Sequence, residues 1–367
     1  MKIVLIGGQS IPGIGGIESY MLNLATSLVK LGNEVTLICS SRSNYTENYN
    51  GIKIIHKVCP KSNIIAFPLL FLKSLDYIIN HRKNIDVINF QSIFFAFIPG
   101  WIASICGCKV YYTIHSLAED NPKHKWYAKM AMKICALISI YACGRNIITV
   151  SNSKASEIKH RYGKRCSVIP CGVKEPSQDP SSDILQQFGI IPNRYYLTIG
   201  RIDPIKNLDT LIKAFIQQGN HNLQLVLAGD YTNNYGEQLL EMCKNQTNII
   251  FVGSVLGDDK EYLLKNSLAN CLVSSSEGMP LSLLEAMSYG KPCIVTDIPA
   301  IREIMKEDWG MWCPVQDVDA ISNHMSELEY NPEKIVAIGK EMKRYTIEQH
   351  TWDNIANRYI KHINTTH

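Results

Sequence analysis

The chain has 367 residues, 46% of them hydrophobic and 19% charged, which excludes disordered, collagen-like and low-complexity proteins and predicts two domains. Residues 1–175 carry 21 Lys and Arg against 9 Asp and Glu, a net +12, whereas residues 176–367 carry 16 against 24, a net −8. The formal net charge of +4 therefore hides one basic and one acidic half. This asymmetry favours an anionic partner for the basic half, namely nucleic acid, a membrane surface or phosphorylated ligands. A basic half without any ligand is the alternative.

The apolar segments of the chain are short. The apolar run Met1–Ile6 ends at Gly7-Gly8 and is too short for the core of a signal peptide. The windows Ile93–Cys106 and Ile134–Cys143 fall short of the ~18–20 residues that span a bilayer. The twelve Cys include no C-x-x-C pair, which predicts reduced cysteines that pack as small apolar residues. We therefore expect a cytosolic protein that is not integral to a membrane.

Short β-branched runs alternate with longer amphipathic stretches in the first half, which is typical of a mostly parallel sheet with helices on both faces. The predicted strands are Lys2–Ile6, Glu34–Cys39, Ile52–Ile55, Asp86–Phe90, Val110–Ile114, Ile147–Val150 and Ser167–Ile169. The predicted helices include Glu18–Leu31, Pro68–Arg82 and Pro122–Cys143.

The stretch Glu175–Ser182, rich in Pro, Ser and acidic residues, predicts a linker, and the alternating pattern restarts after it. The predicted strands of the second half are Tyr195–Ile199, Gln224–Ala228, Asn248–Val252, Cys271–Ser274, Cys293–Thr296 and Gly310–Cys313. The fold class is therefore α/β, with two Rossmann-like doubly wound domains that we expect to face each other across a cleft. In such sheets ligands bind outside the carboxyl ends of the strands.

A Gly-rich loop follows the first strand and ends in Gly15-Gly16-Ile17-Glu18. Such a loop at a helix N-terminus presents backbone N–H groups and a positive dipole end to a phosphate. The fingerprint G-x-G-x-x-G starting at Gly13 fails because Glu18 stands where the last Gly belongs, which weakens a dehydrogenase interpretation. The loop also lacks the G-K-[ST] of a P-loop. An ordinary βα turn is the alternative.

Two cations follow the first strand of the second half, in Gly200-Arg201 and Lys206-Asn207. An Arg that binds in bidentate fashion and a Lys that acts as a point charge suit a diphosphate. A solvated pair of cations on a loop is the alternative.

Two carboxylates lie eight residues apart after the strand Cys271–Ser274. Glu277 belongs to Glu277-Gly278-Met279-Pro280, and Glu285 lies about one turn inside the predicted helix Met279–Tyr289, whose first turn suits Pro280. Each carboxylate is able to accept hydrogen bonds from two vicinal hydroxyls of a sugar or ribose. A glycoside hydrolase with paired acids is the rival interpretation, and a solvated Glu285 near a helix N-terminus is a third.

His115 directly follows the strand Val110–Ile114, where the carboxyl end of the strand favours a functional over a structural role. Asp317-Val318-Asp319 has the form of a metal-binding D-x-D. Because it opens the helical stretch Asp319–Leu328, we predict an N-cap there and no metal site.

The predicted helix Pro122–Cys143 combines a basic stripe with apolar residues. The basic residues Lys125, Lys129 and Lys133 lie beside the apolar Trp126, Met130, Ile134 and Leu137. This pattern predicts an element for a membrane surface, and packing of the apolar face onto its own sheet explains it equally well.

Together these motifs resemble those of the family 4 retaining glycosyltransferases of the GT-B fold, the glycosyl transferases group 1. The resemblance rests on Gly15-Gly16-Ile17-Glu18, His115, Gly200-Arg201, Lys206-Asn207, and Glu277-Gly278-Met279-Pro280 with Glu285. It spans nearly the whole chain, although Cys171 stands where the family usually has Asn. A looser similarity, through Gly13–Gly16 and Lys125-Trp126, is to the rhamnosyltransferases of bacterial surface-polysaccharide assembly.

The resemblance implies an acceptor-binding domain at 1–175, completed by a C-terminal helix at 348–367, and a donor-binding domain at 176–347. It implies that Gly15, Gly16 and Glu18 contribute to substrate binding, with the Gly16 N–H near the donor diphosphate and the incoming acceptor. The implied catalytic residues are His115, beside the transferred sugar, Arg201 and Lys206, which neutralise the leaving diphosphate, and Glu277. Glu277 and the backbone of Gly278, Met279, Pro280 and Leu281 hold the donor sugar, and Glu285 holds the ribose hydroxyls.

The implied reaction moves a sugar from a nucleoside-diphosphate sugar, with a UDP-sugar favoured over a GDP- or dTDP-sugar, to a lipid-linked saccharide in cell-surface polysaccharide biosynthesis. We expect no cofactor and no metal, and front-face transfer with retention because no residue is an obvious covalent nucleophile. The expected place of action is the anionic inner face of the cytoplasmic membrane. Nucleic acid is set aside because no recognisable binding module occurs. A nucleotide-sugar epimerase and an inactive nucleotide-sugar-binding protein are the alternatives.

Overall fold

The computed structural model describes residues 1–13, 15–60, 63–93, 95–115, 126–144, 146–330 and 332–365. The chain divides into two compact units, Met1–Gly172 with Trp352–His367, and Val173–Thr351. These boundaries lie within a few residues of the divisions at 175 and 348 that we expected from the sequence. By composition the first unit carries 22 Lys and Arg against 9 Asp and Glu, and the second carries 15 against 24. The net charges are therefore +13 and −9.

The first unit is built on an eight-stranded sheet in the order β3-β4-β2-β1-β5-β6-β7-β8. The strands are β1 (Lys2–Gln9), β2 (Glu34–Ser41), β3 (Tyr45–Tyr49), β4 (Ile52–Val58), β5 (Val87–Phe90), β6 (Lys109–Ile114), β7 (Ile147–Thr149) and β8 (Ser167–Val168). All neighbours pair in parallel except β3, which pairs antiparallel with β4. The seven predicted strands are thus confirmed, and β3 is the strand that the sequence did not indicate. It lies at the sheet edge with mostly exposed side chains, so it lacks an apolar pattern.

Helices of the first unit connect these strands. They are α1 (Gly16–Lys30), α2 (Asn63–His81), α3 (Phe97–Ile105), α4 (Trp126–Ala142) and α5 (Asn152–Tyr162). The three predicted helices are confirmed, although α2 begins five residues earlier than expected and residues 122–125 of the third lie outside the described residues. Buried residues of α2, α3 and α4 form one core cluster with the sheet, for example Phe71, Ala103 and Ile140.

The second unit is built on a six-stranded sheet in the order β11-β10-β9-β12-β13-β14, with all described pairings parallel. Its strands are β9 (Tyr195–Ile199), β10 (Gln224–Ala228), β11 (Ile249–Gly253), β12 (Ala269–Leu272), β13 (Cys293–Thr296) and β14 (Gly310–Cys313). Its helices are α6 (Ile184–Gln187), α7 (Leu208–Gln218), α8 (Asn234–Met242), α9 (Gly257–Asn266), α10 (Leu281–Ser288), α11 (Pro299–Arg302), α12 (Val318–Tyr330) and α13 (Pro332–His350). The six predicted strands are confirmed. Strand order reverses between β9 and β12, the position where open α/β sheets bind ligands.

The last helix, α14 (Trp352–Thr365), belongs to the first unit. Trp352 and Tyr359 are buried, and the Tyr359 hydroxyl accepts a hydrogen bond of 2.9 Å from Asn89 Nδ2 on β5. Ser27 Oγ of α1 donates to Asp353 Oδ1 over 2.5 Å. The end of the chain is therefore part of the core that the first 172 residues begin.

Candidate functional site

The Gly-rich loop after β1 leads into α1, and no side chain caps the N-terminus of this helix. Gly15 is the N-cap of α1, and no side chain caps the first turn. A Cβ added at Gly16 would meet nothing within 4 Å, so the space beside this residue is free. Uncapped N–H groups at a helix N-terminus attract an anion. The loop therefore has the geometry expected of a phosphate-binding or carboxylate-binding turn.

Glu18 is engaged with the backbone of this loop. Its Oε1 accepts a hydrogen bond of 2.7 Å from the Gln9 N–H. A Cβ at Gly15 would lie only 1.7 Å from Glu18 Oε2, so any larger residue at Gly15 would displace the carboxylate. The structure thus gives Glu18 a role in holding the loop closed on α1.

His115 directly follows β6 and contacts Gln91, which directly follows β5, and Tyr20 of α1. Its Nε2 lies 2.9 Å from Gln91 Oε1, and its ring packs edge-on against Tyr20 with centroids 4.7 Å apart. Removal of water from around the ring lowers the pKa of His115 to about 4, so the imidazole is neutral at pH 7. Among the described residues, the buried Nε2 of Gln91 has no hydrogen-bond partner.

In the second unit, an open depression lies at the carboxyl ends of β9 and β12. Gly200, Arg201, Lys206 and Ser274 line it. Arg201 is exposed, and within the described part of the chain no ion-pair partner of its guanidinium is found. Ser274 is fully buried, and its Oγ lacks a partner among the described residues. The depression therefore combines a free cation, a second cation and an unsatisfied hydroxyl, a donor set suited to phosphate oxygens.

Each of the two candidate carboxylates is paired with a lysine. Glu277 Oε1 lies 2.5 Å from Lys206 Nζ, and both side chains are less than a fifth exposed. Glu285 Oε1 lies 2.6 Å from Lys260 Nζ of α9, and both side chains are about a quarter exposed. The two carboxylates thus do not form one acid pair, because each has a cation of its own. This arrangement argues against the glycoside hydrolase alternative, in which an acid and a base act together.

The loop Gly278–Pro280 leads into α10, which begins at Leu281. Pro280 is the residue before the helix, with extended backbone, so the prediction that it lies in the first turn was wrong by one position. Its carbonyl accepts from the N–H groups of Leu283 and Leu284. No side chain caps the helix, which leaves its N-terminal turn available to a ligand.

Asp317 is an N-cap. Its Oδ1 accepts from the Ala320 N–H over 2.9 Å at the start of α12, as we expected from the sequence. In the described residues no group of three or more His, Cys, Asp or Glu side chains is arranged to hold a metal ion. Most of the twelve cysteines are buried. No helix within the described residues is long and apolar enough to cross a membrane.

The residues that sequence reasoning missed are Gln91, Lys260 and Ser274. Gln91 directly follows β5, a strand-end position that could have indicated it. Lys260 lies on a helix 25 positions before its partner Glu285, and no local pattern connects the two. Their contacts arise only when the strands and helices assemble.

Comparison with known proteins places both units in one family. The profile described as Glycosyltransferase Family 4 matches residues 14–175, and that described as Glycosyl transferases group 1 matches residues 183–345. An Escherichia coli protein named UDP-Gal:alpha-D-GlcNAc-diphosphoundecaprenol alpha-1,3-galactosyltransferase is 26% identical over 88% of this chain and 87% of its own length. O-antigen chain mannosyltransferase C of Escherichia coli is 22% identical over 94% of this chain and 93% of its own length.

The fold is also that of a solved structure with a bound nucleotide sugar. Anabaena Alr3699/HepE, solved in complex with UDP-glucose, superposes with a TM-score of 0.77 at 17% identity over 99% of this chain and 100% of that chain. The resemblance that the motifs indicated is thereby confirmed at the level of the family, while the narrower similarity to rhamnosyltransferases stays a prediction. The chain belongs to glycosyltransferase family 4 and is a glycosyltransferase of the GT-B fold.

Proposed function

We propose that this enzyme transfers a sugar, with retention, from a nucleoside-diphosphate sugar to a lipid-linked saccharide in cell-surface polysaccharide synthesis. The observation that carries the proposal is the pair of cations at the carboxyl end of β9, Arg201 and Lys206, in a depression that the buried Ser274 hydroxyl also lines. Membership of the glycosyltransferase family supplies the reaction type, and the depression supplies a place for the donor diphosphate.

The diphosphate is assigned to Arg201 and Lys206. As the glycosidic bond breaks, negative charge accumulates on the leaving diphosphate, and fixed cations stabilise that charge. The exposed Arg201 is available to bind the diphosphate, whereas Lys206 forms an ion pair with Glu277. Two protein cations supply the stabilisation that a bound metal supplies in other transferases, and we therefore propose that the reaction needs no metal.

The ribose is assigned to Glu285 and the donor sugar to Glu277, with the backbone of Gly278, Met279, Pro280 and Leu281. Lys206 and Lys260 contact these carboxylates and hold them in place as acceptors for hydroxyl groups. We favour a UDP-sugar over a GDP- or dTDP-sugar, supported by the UDP-glucose bound to the similar Anabaena protein.

His115 is assigned to the transferred sugar. Because its low pKa keeps the imidazole neutral, it adds no repulsive charge to a sugar that develops oxocarbenium character. With the Gln91 amide oriented as described, Nε2–H donates to Oε1 and Nδ1 remains an acceptor. Gly15 and Gly16 offer the α1 N-terminus to the anionic parts of the substrates, and Glu18 holds their loop.

The acceptor is assigned to the first unit and is proposed to be a saccharide on a lipid diphosphate. The galactosyltransferase to which the chain is similar is named for such an acceptor. The net charge of +13 on this unit suits both the diphosphate and an anionic membrane. We therefore propose that the enzyme works at the inner face of the cytoplasmic membrane.

The assignment of the diphosphate is tested with Arg201→Ala and Lys206→Ala, with Lys244→Ala as the matched control. Lys244 is an exposed cation of the same unit on the loop after α8. We expect each site variant to lower transfer at least about a hundredfold, because oxyanion stabilisers contribute on the order of 10²–10³ to kcat. The control should retain wild-type activity and unfolding temperature, and both site variants should remain folded, with Lys206→Ala less stable because Glu277 loses its partner.

A thermal-shift screen of UDP-, GDP- and dTDP-sugars selects the donor for these assays. Full activity in both Arg201→Ala and Lys206→Ala would contradict the diphosphate assignment. Product analysis separates the epimerase alternative, because an epimerase converts the sugar of the donor without any acceptor, whereas a transferase releases the nucleoside diphosphate.

A further inference from the structure

Helix α4 carries two apolar faces. Met132, Ala136 and Ile140 are at least 94% buried and join the core of the first unit. A second face is exposed and consists of Trp126, Met130, Ile134, Leu137, Ile138 and Tyr141, which are 42–77% exposed. Packing onto the sheet therefore explains the first face and leaves the second unexplained.

Helix α3 extends this exposed apolar face. Ile98, Trp101 and Ile105 are 41%, 53% and 87% exposed. The Trp101 Nε1–H donates to the Ala142 carbonyl at the end of α4 over 2.9 Å, so the two helices meet there. We call the exposed apolar residues of α3 and α4 together the α3–α4 surface. Contiguous apolar patches beyond a few hundred Å² are rare on monomeric proteins and mark interaction sites.

The sequence around the α3–α4 surface is cationic. No Asp or Glu occurs in residues 87–118 or 121–156. Of the basic residues in these stretches whose side chains the structure describes, Lys109 and Lys133 are exposed, whereas Lys154 is buried and ion-paired with Glu157. Of the stripe predicted at 125, 129 and 133, the exposed Lys133 lies within the described residues, whereas Lys125 and the side chain of Lys129 lie outside them.

We propose that the α3–α4 surface docks on an anionic lipid bilayer, with its apolar side chains in the interfacial region and the exposed Lys133 of α4 at the headgroups. Exposed Trp and Tyr beside aliphatic residues are the composition that such an interface favours. A second copy of the chain is the competing occupant. It would bring two cationic surfaces together, which is unfavourable, whereas anionic lipid complements the charge. This inference rests on the proposed function, because a lipid-linked acceptor is the reason for the enzyme to bind a membrane.

The test compares Ile134→Asp/Ile138→Asp with the control Ile191→Asp/Val336→Asp in the full-length protein. The control residues are 49% and 56% exposed on the second unit, so both pairs change the charge equally at exposed sites. Flotation uses vesicles of equal parts phosphatidylglycerol and phosphatidylcholine, and vesicles of phosphatidylcholine alone. We expect the wild type and the control to float with the anionic vesicles. The Ile134/Ile138 pair should partition at least about tenfold less, because it loses two apolar insertions.

Further measurements test whether the α3–α4 surface touches the lipid and whether it joins two copies of the chain. Brominated lipids should quench the tryptophan fluorescence of the wild type more than that of Trp126→Phe. Sedimentation should show a monomer for all variants, and UDP-sugar thermal shifts should be the same for the wild type and both pairs. The thermal shifts caused by UDP-sugar report on donor binding alone. They therefore distinguish a failure of the membrane inference from a failure of the proposed function.

Several results would overturn the inference. They are flotation of the Ile134/Ile138 pair at the wild-type level, no binding of the wild type to anionic vesicles, or equal quenching in Trp126→Phe. A wild-type dimer that the Ile134/Ile138 pair dissociates, with vesicle binding unchanged, would instead assign the surface to a second copy.

Discussion

Among single residues, the candidate carboxylates and the candidate histidine are each held by one specific partner. Lys206 pairs with Glu277, Lys260 pairs with Glu285, and Gln91 contacts His115. Such partners restrict the side chains before substrate arrives, which lowers the entropic cost of binding it. The charge of each carboxylate is also balanced by its lysine, so these two glutamates add little repulsion towards a donor diphosphate.

The lowered pKa of His115 makes a prediction about stability. Its folded pKa of about 4 lies below the unfolded value of 6.5, so the unfolded chain binds more protons between these values and stability falls as the pH drops from 6.5 towards 4. We expect this residue to account for at most about 2 kcal/mol of the stability lost between pH 7 and pH 5. Urea unfolding of the wild type and of His115→Gln at both pH values measures it. An equal loss in both proteins would show that His115 does not titrate in this way.

Among the elements, the N-terminus of α1 is the part of the first unit best suited to an anion. It is open because Gly15 has no capping side chain and Gly16 faces empty space. The neighbouring Glu18 bonds to Gln9 and fixes the loop. The same two glycines differ in what they tolerate, since a Cβ is accommodated at Gly16 and collides with Glu18 at Gly15.

We therefore expect Gly16→Ala to raise the free energy of unfolding by about 0.5 kcal/mol, because alanine loses less backbone entropy in a helix than glycine. The same change should lower transfer, since a methyl group occupies the space beside the N–H that substrate approaches. Gly15→Ala is the comparison and should destabilise the protein. Urea unfolding measures the effect on stability, and initial rates measure the effect on transfer. Wild-type activity of Gly16→Ala would show that substrate does not approach the Gly16 N–H.

For the whole molecule, the C-terminal helix closes the core that the N-terminal segments begin. Trp352 packs edge-on against Tyr20 with ring centroids 5.5 Å apart, and a Cβ at Gly172 would lie 2.7 Å from the Trp352 ring. Tyr359 bonds to Asn89 on β5. The first unit is thus complete only after the chain has passed through the whole of the second.

Trp352→Ala should destabilise the protein by about 3–5 kcal/mol, the range for truncating a large aromatic side chain in a core. Asn357→Ala on the exposed side of the same helix is the control and should change stability by less than about 1 kcal/mol. Urea unfolding followed by circular dichroism measures both variants. A small effect of Trp352→Ala would show that α14 contributes little to the stability of the first unit.

Much of the fold could be predicted from the sequence. The strands β9, β10, β13 and β14 were predicted at their bounds, because short apolar runs between turn residues are typical of strands in parallel sheets. β3 could not be predicted, since an exposed edge strand has no apolar pattern. The prediction for Pro280 was wrong by one residue, because helix ends are decided by capping geometry rather than by composition.

The sequence by itself determined the α/β class, the division into two units and the positions of Arg201 and His115 just after strands, since periodicity and Gly-rich turns are local signals. The tertiary structure decided which groups meet. It joined Glu285 to Lys260, joined Gln91 to His115 and brought α14 to the first unit, contacts between residues that lie 24 or more positions apart. It also showed that α4 has two apolar faces, because only the packed sheet reveals which face is buried and which stays exposed.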